Sequence, residues 1–287
     1  MTRQVHVNGT SLAYIERGTG DPVVLVHGSA SDHRSWLGQL EPLGSQHRVI
    51  AYSRRHHWPN APIAAGADYA MAEHAADLAA LLPALGAAPA HLVGHSYGAF
   101  VALLLALQQP ALVRSLVLAE PPLITLFVSN RPRVAQVLRL LVTRPRTAVA
   151  LVTFGATGME PATAAARRGD MEQAMHLMGR AVLGRDAYAR LSASRLEQVR
   201  ANAVPAEFLG SGFPPIDGAA LRGVRVPALL VEGQRSPRLF HRLIDRLEDL
   251  LPLATRVTIP DASHLVHEDN APAYTAAVLQ HLYRQDR

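Results

Sequence analysis

The sequence predicts an α/β fold: an eight-stranded, mostly parallel sheet with helices on both faces and an inserted helical cap. Three observations lead there. Short β-rich apolar runs alternate with helical patterns. The later runs are almost continuously apolar, as in parallel strands covered on both faces. The alternation lapses after Pro121-Pro122 and resumes near Val226, with helical periodicity in between.

In chain order the runs are QVHVN, LAYIER, PVVLVHG, HRVIAYS, AHLVGHS, RSLVLAE, PALLVEG and TRVTIPD. The first two flank Asn8-Gly9, the preferred pair for a two-residue hairpin turn, so the sheet is expected to open antiparallel. Apolar spacing at Trp36, Leu40 and Leu43, and at Leu78, Leu81, Leu82 and Leu85, predicts crossover helices. The cap is expected at residues 123–221, between core segments 1–122 and 222–287. Its helical patterns fall at Val134, Val137, Leu138 and Leu141, then Met171, Met175, Met178 and Val182, then Tyr188, Leu191 and Val199. The stretch LGSGFPPIDG, residues 209–218, reads as the loop that returns to the core.

Composition removes several chemistries. All 28 basic residues are Arg, so no lysine can form a Schiff base or serve a P-loop. No cysteine is present, which excludes disulfides, thiol nucleophiles and Cys-ligated metals. The sequence pI is near 10.0, but the net charge is only +5 and no basic run exceeds two residues, so nucleic acid is not an expected partner. The apolar run Ala99 to Leu107 is short of the roughly 20 residues a membrane span needs. The first residues lack a signal-peptide layout, and a cytoplasmic protein, monomer or homodimer, is expected.

The chemistry concentrates at Gly94-His95-Ser96-Tyr97-Gly98, between the run HLV and a helical pattern. This strand-turn-helix setting is that of a nucleophile elbow, in which glycines two before and two after the serine allow a turn too sharp for side chains. Ser96 is then held out at a helix N-terminus, where the dipole and free N–H groups favour an oxyanion. The N–H groups of Tyr97 and of Ser29, in His27-Gly28-Ser29 after VVLV, are the candidate donors. His264, in PDASHLVHEDNAP after the last strand, is placed to act as general base. His267 is the competitor, although it runs into a helix-leading segment and is expected to pack or cap there. His27 and His95 read mainly as loop-bonding residues, with His27 also weighed as a pocket residue.

The motifs, their order and the inserted segment resemble the α/β-hydrolase fold superfamily over essentially the whole chain. The resemblance implies a triad acid in the loop after strand seven, but that stretch, VEGQRSPRLF, places Ser236 there. Serine cannot carry the charge that stabilises an imidazolium. Glu120, closing strand six, is the expected substitute, as in haloalkane dehalogenases and certain lactone hydrolases whose acid follows strand six. Glu232 and Asp261 are the reserves.

With a serine nucleophile, the expected reaction is acyl transfer to water, without metal or cofactor. The expected substrate is a small-molecule ester or lactone, apolar and of small to medium size. Trp58, in the segment SRRHHWPN, and Met175, on an apolar Met-containing helix face, are candidate pocket residues. Other reactions of the same triad are C–C bond hydrolysis, perhydrolysis and cofactor-free oxygenation. A ligand-binding receptor on the same fold is the non-enzymatic alternative.

Overall fold

Each apolar run of the sequence becomes a strand: β1 Arg3–Val7, β2 Thr10–Arg17, β3 Pro22–Val26, β4 Arg48–Tyr52, β5 Ala90–His95, β6 Val113–Ala119, β7 Ala228–Gly233 and β8 Ala254–Ile259. The computed structural model describes residues 1–64, 67, 70–130, 132–210 and 212–286. The strands form one sheet in the order β1-β2-β4-β3-β5-β6-β7-β8, in which β2 alone runs against the others. The hairpin falls where expected: Val7 pairs with Thr10, and Asn8 (φ 48°) and Gly9 (φ 72°) supply the two positive φ angles of a type I′ turn.

Helices α1 Leu37–Gly44, α2 Met71–Ala84 and α3 Tyr97–Gln108 precede β6. Between β6 and β7 come α4 Val134–Thr143, α5 Pro145–Phe154, α6 Glu160–Arg167, α7 Met171–Leu183, α8 Arg185–Ala189, α9 Ala193–Ala201, α10 Ala206–Leu209 and α11 Gly218–Arg222. After β7 come α12 Arg238–Glu248, α13 Val266–Asp269 and α14 Ala271–Gln285. Residue 211, in the expected return loop, lies outside the described residues; 212–217 are neither helix nor strand.

Alternate residues of the central strands enter two separate cores. Val24, Val26, Leu92, Leu116 and Leu230 pack with α2, α3 and α12 on one face. Val23, Leu25, Val93, Val117 and Val231 pack with α1 and α14 on the other. Each such side chain contributes about 1.5–3 kcal/mol by leaving water. This double burial is why the runs are continuously apolar.

The inserted segment departs from the sequence reading in two places. The apolar stripe of α4 does not turn inward as a whole: Leu140 is buried, while Val134, Leu138 and Leu141 are exposed. Helices α5 and α6, joined by the wide turn Gly155–Met159, occupy a stretch whose many Ala and Thr residues give little periodic signal. No helix among the described residues is long and apolar enough to cross a membrane.

Candidate active site

Strand β5 ends at His95 and α3 begins at Tyr97, so Ser96 alone makes the turn, at φ 50° and ψ −118°. A non-glycine residue held there costs on the order of 1–3 kcal/mol. The flanking glycines are required by space. A Cβ at Gly94 would lie 2.5 Å from Ala99 Cα, and one at Gly98 would lie 2.1 Å from the Val26 carbonyl oxygen. The turn is tied down by Ser96 N–H donating to Ala119 O (2.8 Å) and Phe100 N–H donating to Ser96 O (3.1 Å). Ser96 stays half-buried and lines a cavity at the carboxyl edge of the sheet.

His264 lines the same cavity from the loop after β8. Its Nδ1–H donates to Glu120 Oε2 at 2.5 Å, and the other carboxylate oxygen accepts Gly233 N–H at 2.8 Å. Glu120 is fully buried at the end of β6, itself at a positive φ of 47°. With Nδ1 protonated, Nε2 of His264 carries a lone pair. It is buried and has no hydrogen-bond partner among the described residues. The loop is fixed from behind by His95 Nε2–H, which donates to His264 O at 2.7 Å, and the Phe240 ring lies 4.1 Å from the His264 ring. His95 thus bonds the loop backbone; burial, then the neighbouring His267 and His264, holds its pKa well below the usual histidine value.

The reserve acids are engaged elsewhere. Glu232 binds His241 Nδ1 (2.7 Å), Thr258 Oγ1 (2.8 Å) and the Arg256 guanidinium. Asp261 is exposed and pairs with Arg235. Ser236 is buried, and its hydroxyl has no partner among the described residues. His267 packs 4.3 Å from the Trp36 ring and 4.6 Å from His95, and burial lowers its pKa to about 3.

Ser29 and Tyr97 both line the cavity. As the first residue of α3, Tyr97 has a backbone N–H with no intrahelical acceptor. The N–H of Ser29 has no acceptor among the described residues. Gly28 lets this loop approach the elbow: a Cβ there would come within 3.2 Å of Ser96 Cβ. Met175 also lines the cavity, whereas His27 and Trp58, weighed as pocket residues from the sequence, are not among its lining residues. Both nitrogens of His27 are used by backbone, Nδ1–H donating to Gly28 O (2.8 Å) and Nε2 accepting Arg54 N–H (2.9 Å). Trp58 stacks on His33 and beneath the Arg34 guanidinium, 3.8 Å from the ring centroid.

The cavity measures about 170 Å³. The inserted segment closes it with Phe154, Met159, Met175, Met178 and Phe213, and adds two charged residues that the sequence reading missed, Arg195 and Glu207. Arg195 is held by Glu268 (3.1 Å) and Gln198 (2.8 Å). Glu207 accepts from Arg54 Nη2 at 2.8 Å and from Ala30 N–H at 3.3 Å, joining α10 to the loop that carries Ser29. Gln198 and Asn202 likewise bond the buried Asp32. These bonds clamp the insertion onto the sheet.

Burial alone would raise the Glu207 pKa, but the Arg54 charge and the His57 contact outweigh it and hold it at about 2. Because the folded value is depressed, its stabilisation is complete above the ordinary value of 4.5 and fades as pH falls through about 2. Glu207→Gln removes a buried carboxylate partner of the buried Arg54 guanidinium and is expected to cost about 3–5 kcal/mol at pH 7. Urea denaturation should show that gap closing as pH falls from 4.5 towards 2.

A serine at a strained strand-helix turn, sharing a cavity with a histidine held by a buried carboxylate, defines the class of α/β protein built around a nucleophile elbow. The chain matches the model of the alpha/beta hydrolase fold family over residues 21–271, and it belongs to that family. A protein of Variovorax paradoxus named for carbamate hydrolysis, RutD, is 43% identical over 102 residues, covering 35% of this chain and 38% of its own length. The chain spans 30% to 43% of the length of the first curated relatives it matches. An esterase from Thermogutta terrifontis superposes with a TM-score of 0.75 at 23% identity, covering 99% of both chains. The enol-lactonase of Burkholderia xenovorans LB400 superposes with a TM-score of 0.73 at 19% identity, covering 98% of this chain and all of its own. At these identities the superpositions establish the fold.

Proposed function

We propose that the chain hydrolyses a carboxylic ester or lactone of a small to medium apolar substrate through an acyl-enzyme on Ser96. Ser96 Oγ attacks the carbonyl while His264 Nε2 takes its proton. The Ser29 and Tyr97 N–H groups receive the oxyanion. His264 then returns the proton to the leaving alkoxide, and a water activated by His264 releases the acid. Glu120 keeps the proton on Nδ1 and stabilises the imidazolium.

The observation that carries this reading is the relay from Gly233 N–H through Glu120 to His264, whose remaining nitrogen is buried beside the Ser96 cavity and has no partner among the described residues. The apolar lining supports an uncharged acyl group, and the small volume supports a short one. The named activities of the superposed esterase and lactonase are consistent with it.

The test is turnover of p-nitrophenyl acetate, butyrate and decanoate and of a six-membered lactone, together with mass spectrometry after a fluorophosphonate probe. Butyrate is expected to be cleaved faster than decanoate, with the probe on Ser96. No turnover of any ester or lactone would overturn the reading. In that case, a β-diketone substrate, a peroxide and saturable ligand binding separate the C–C hydrolase, perhydrolase and receptor alternatives.

A further inference from the structure

A second concavity, about 1200 Å³, lies between the inserted segment and α12. Seven arginines line it. Three are neutralised: Arg235 by Asp261, Arg242 by Asp245, and Arg256 by Glu232, Asp245 and Glu248. The other four, Arg146, Arg180, Arg185 and Arg238, form no ion pair with a carboxylate among the described residues; Arg180 lies 3.5 Å from His176 Nε2. Asp245 is the one carboxylate in the described lining, and it is already shared by two of the paired arginines.

Unpaired guanidiniums converging from α5, α7, α8 and α12 on one concave surface repel one another unless an anion lies between them. Their planar forks suit phosphate oxygens. The starts of α5 and α12 add to the same field: neither has a side-chain cap or an acid in its first turn, and Pro145, Arg146, Pro237 and Arg238 line the cleft. Phe154 lines both this cleft and the Ser96 cavity, and packs edge-on against Phe240, which covers His264. The two concavities therefore share a wall.

We propose that this arginine cleft is a binding site for a multiply charged, phosphate-bearing small molecule. It recognises phosphate by guanidinium forks while the apolar side chains Val149, Phe154 and Leu239 contact the organic part. Its position suits either a free phosphorylated ligand or the phosphorylated leaving group of a substrate whose acyl end enters the Ser96 cavity. Only the second source rests on the hydrolase reading.

The test is calorimetric titration of the full chain with inorganic pyrophosphate and with adenosine 5′-diphosphate, at low and physiological salt. Wild type is expected to bind with a Kd below about 1 mM, more weakly as salt rises. The triple variant Arg146→Ala, Arg185→Ala, Arg238→Ala removes exposed side chains and is expected to weaken binding at least about tenfold. Arg222→Ala/Arg225→Ala, outside the cleft, is the control and should bind as wild type. No binding by wild type at about 1 mM, or equal binding by the triple variant, would overturn the proposal. A KM that rises in the triple variant for an acetyl ester with a phosphorylated leaving group, and not for p-nitrophenyl acetate, assigns the substrate source. Pyrophosphate binding without that KM change assigns the free ligand. If the chain turns over no ester, the titration still decides the cleft.

Discussion

Ser96→Ala is expected to lower kcat on p-nitrophenyl butyrate by about 10³-fold or more, and His264→Ala by a similar factor. The two act as one unit: without the imidazole the hydroxyl is not deprotonated, and without the hydroxyl the imidazole has no proton to take. The double variant is therefore expected to be no slower than the worse single one. Each variant should still fold, since Ser96 Oγ makes no hydrogen bond among the described residues that holds the turn and Ala can occupy the same strained backbone. A thermal melt checks this, and a double variant whose loss equals the product of the single losses would contradict the shared role.

Glu120→Gln is expected to cost about 10⁴-fold in kcat with only a small change in KM. The reason lies in the two bonds of the carboxylate. One oxygen must accept from Gly233 N–H, so a glutamine at 120 would keep its oxygen there and turn its NH₂ towards His264 Nδ1. That amide can only donate, which forces the imidazole proton onto Nε2 and removes the lone pair that should receive the Ser96 proton. Glu232→Gln and Asp261→Asn are expected to leave kcat within a few-fold of wild type, because their carboxylates bind Arg256, His241 and Arg235 and not His264. A large kcat loss in Glu232→Gln with Glu120→Gln unaffected would reverse the assignment.

The sheet was legible because strands buried on both faces leave an unbroken apolar signature, and each of the eight runs became a strand. The elbow was legible because steric crowding leaves glycine as the one residue that fits two positions, at Gly94 and Gly98. Glu120 became a candidate through the family resemblance, which expects an acid where Ser236 stands, and the structure bonds its carboxylate to His264. The inserted segment was less legible. The Arg54–Glu207 pair joins residues 153 apart, and neither neighbourhood carries a pattern that points to the other. Arg195 sits on a short helix with little amphipathic contrast, so nothing in its local sequence distinguishes it from a solvated arginine. Trp58 looked like an entrance residue because it follows a strand end, but the neighbouring Arg34 and His33 capture its ring.

The carboxylate that positions His264 stands at the last residue before Pro121-Pro122, where the chain leaves the sheet for its helical insertion. In this protein the start of the inserted segment and the carboxylate that holds His264 are neighbours in the chain. An acid after β7 would let the insertion diversify without touching the proton relay. Here the backbone conformation at 120, at positive φ, has to survive every change made downstream of it. An insertion transplanted from a relative is therefore expected to keep the Glu120–His264 bond intact only if the graft point lies beyond residue 122.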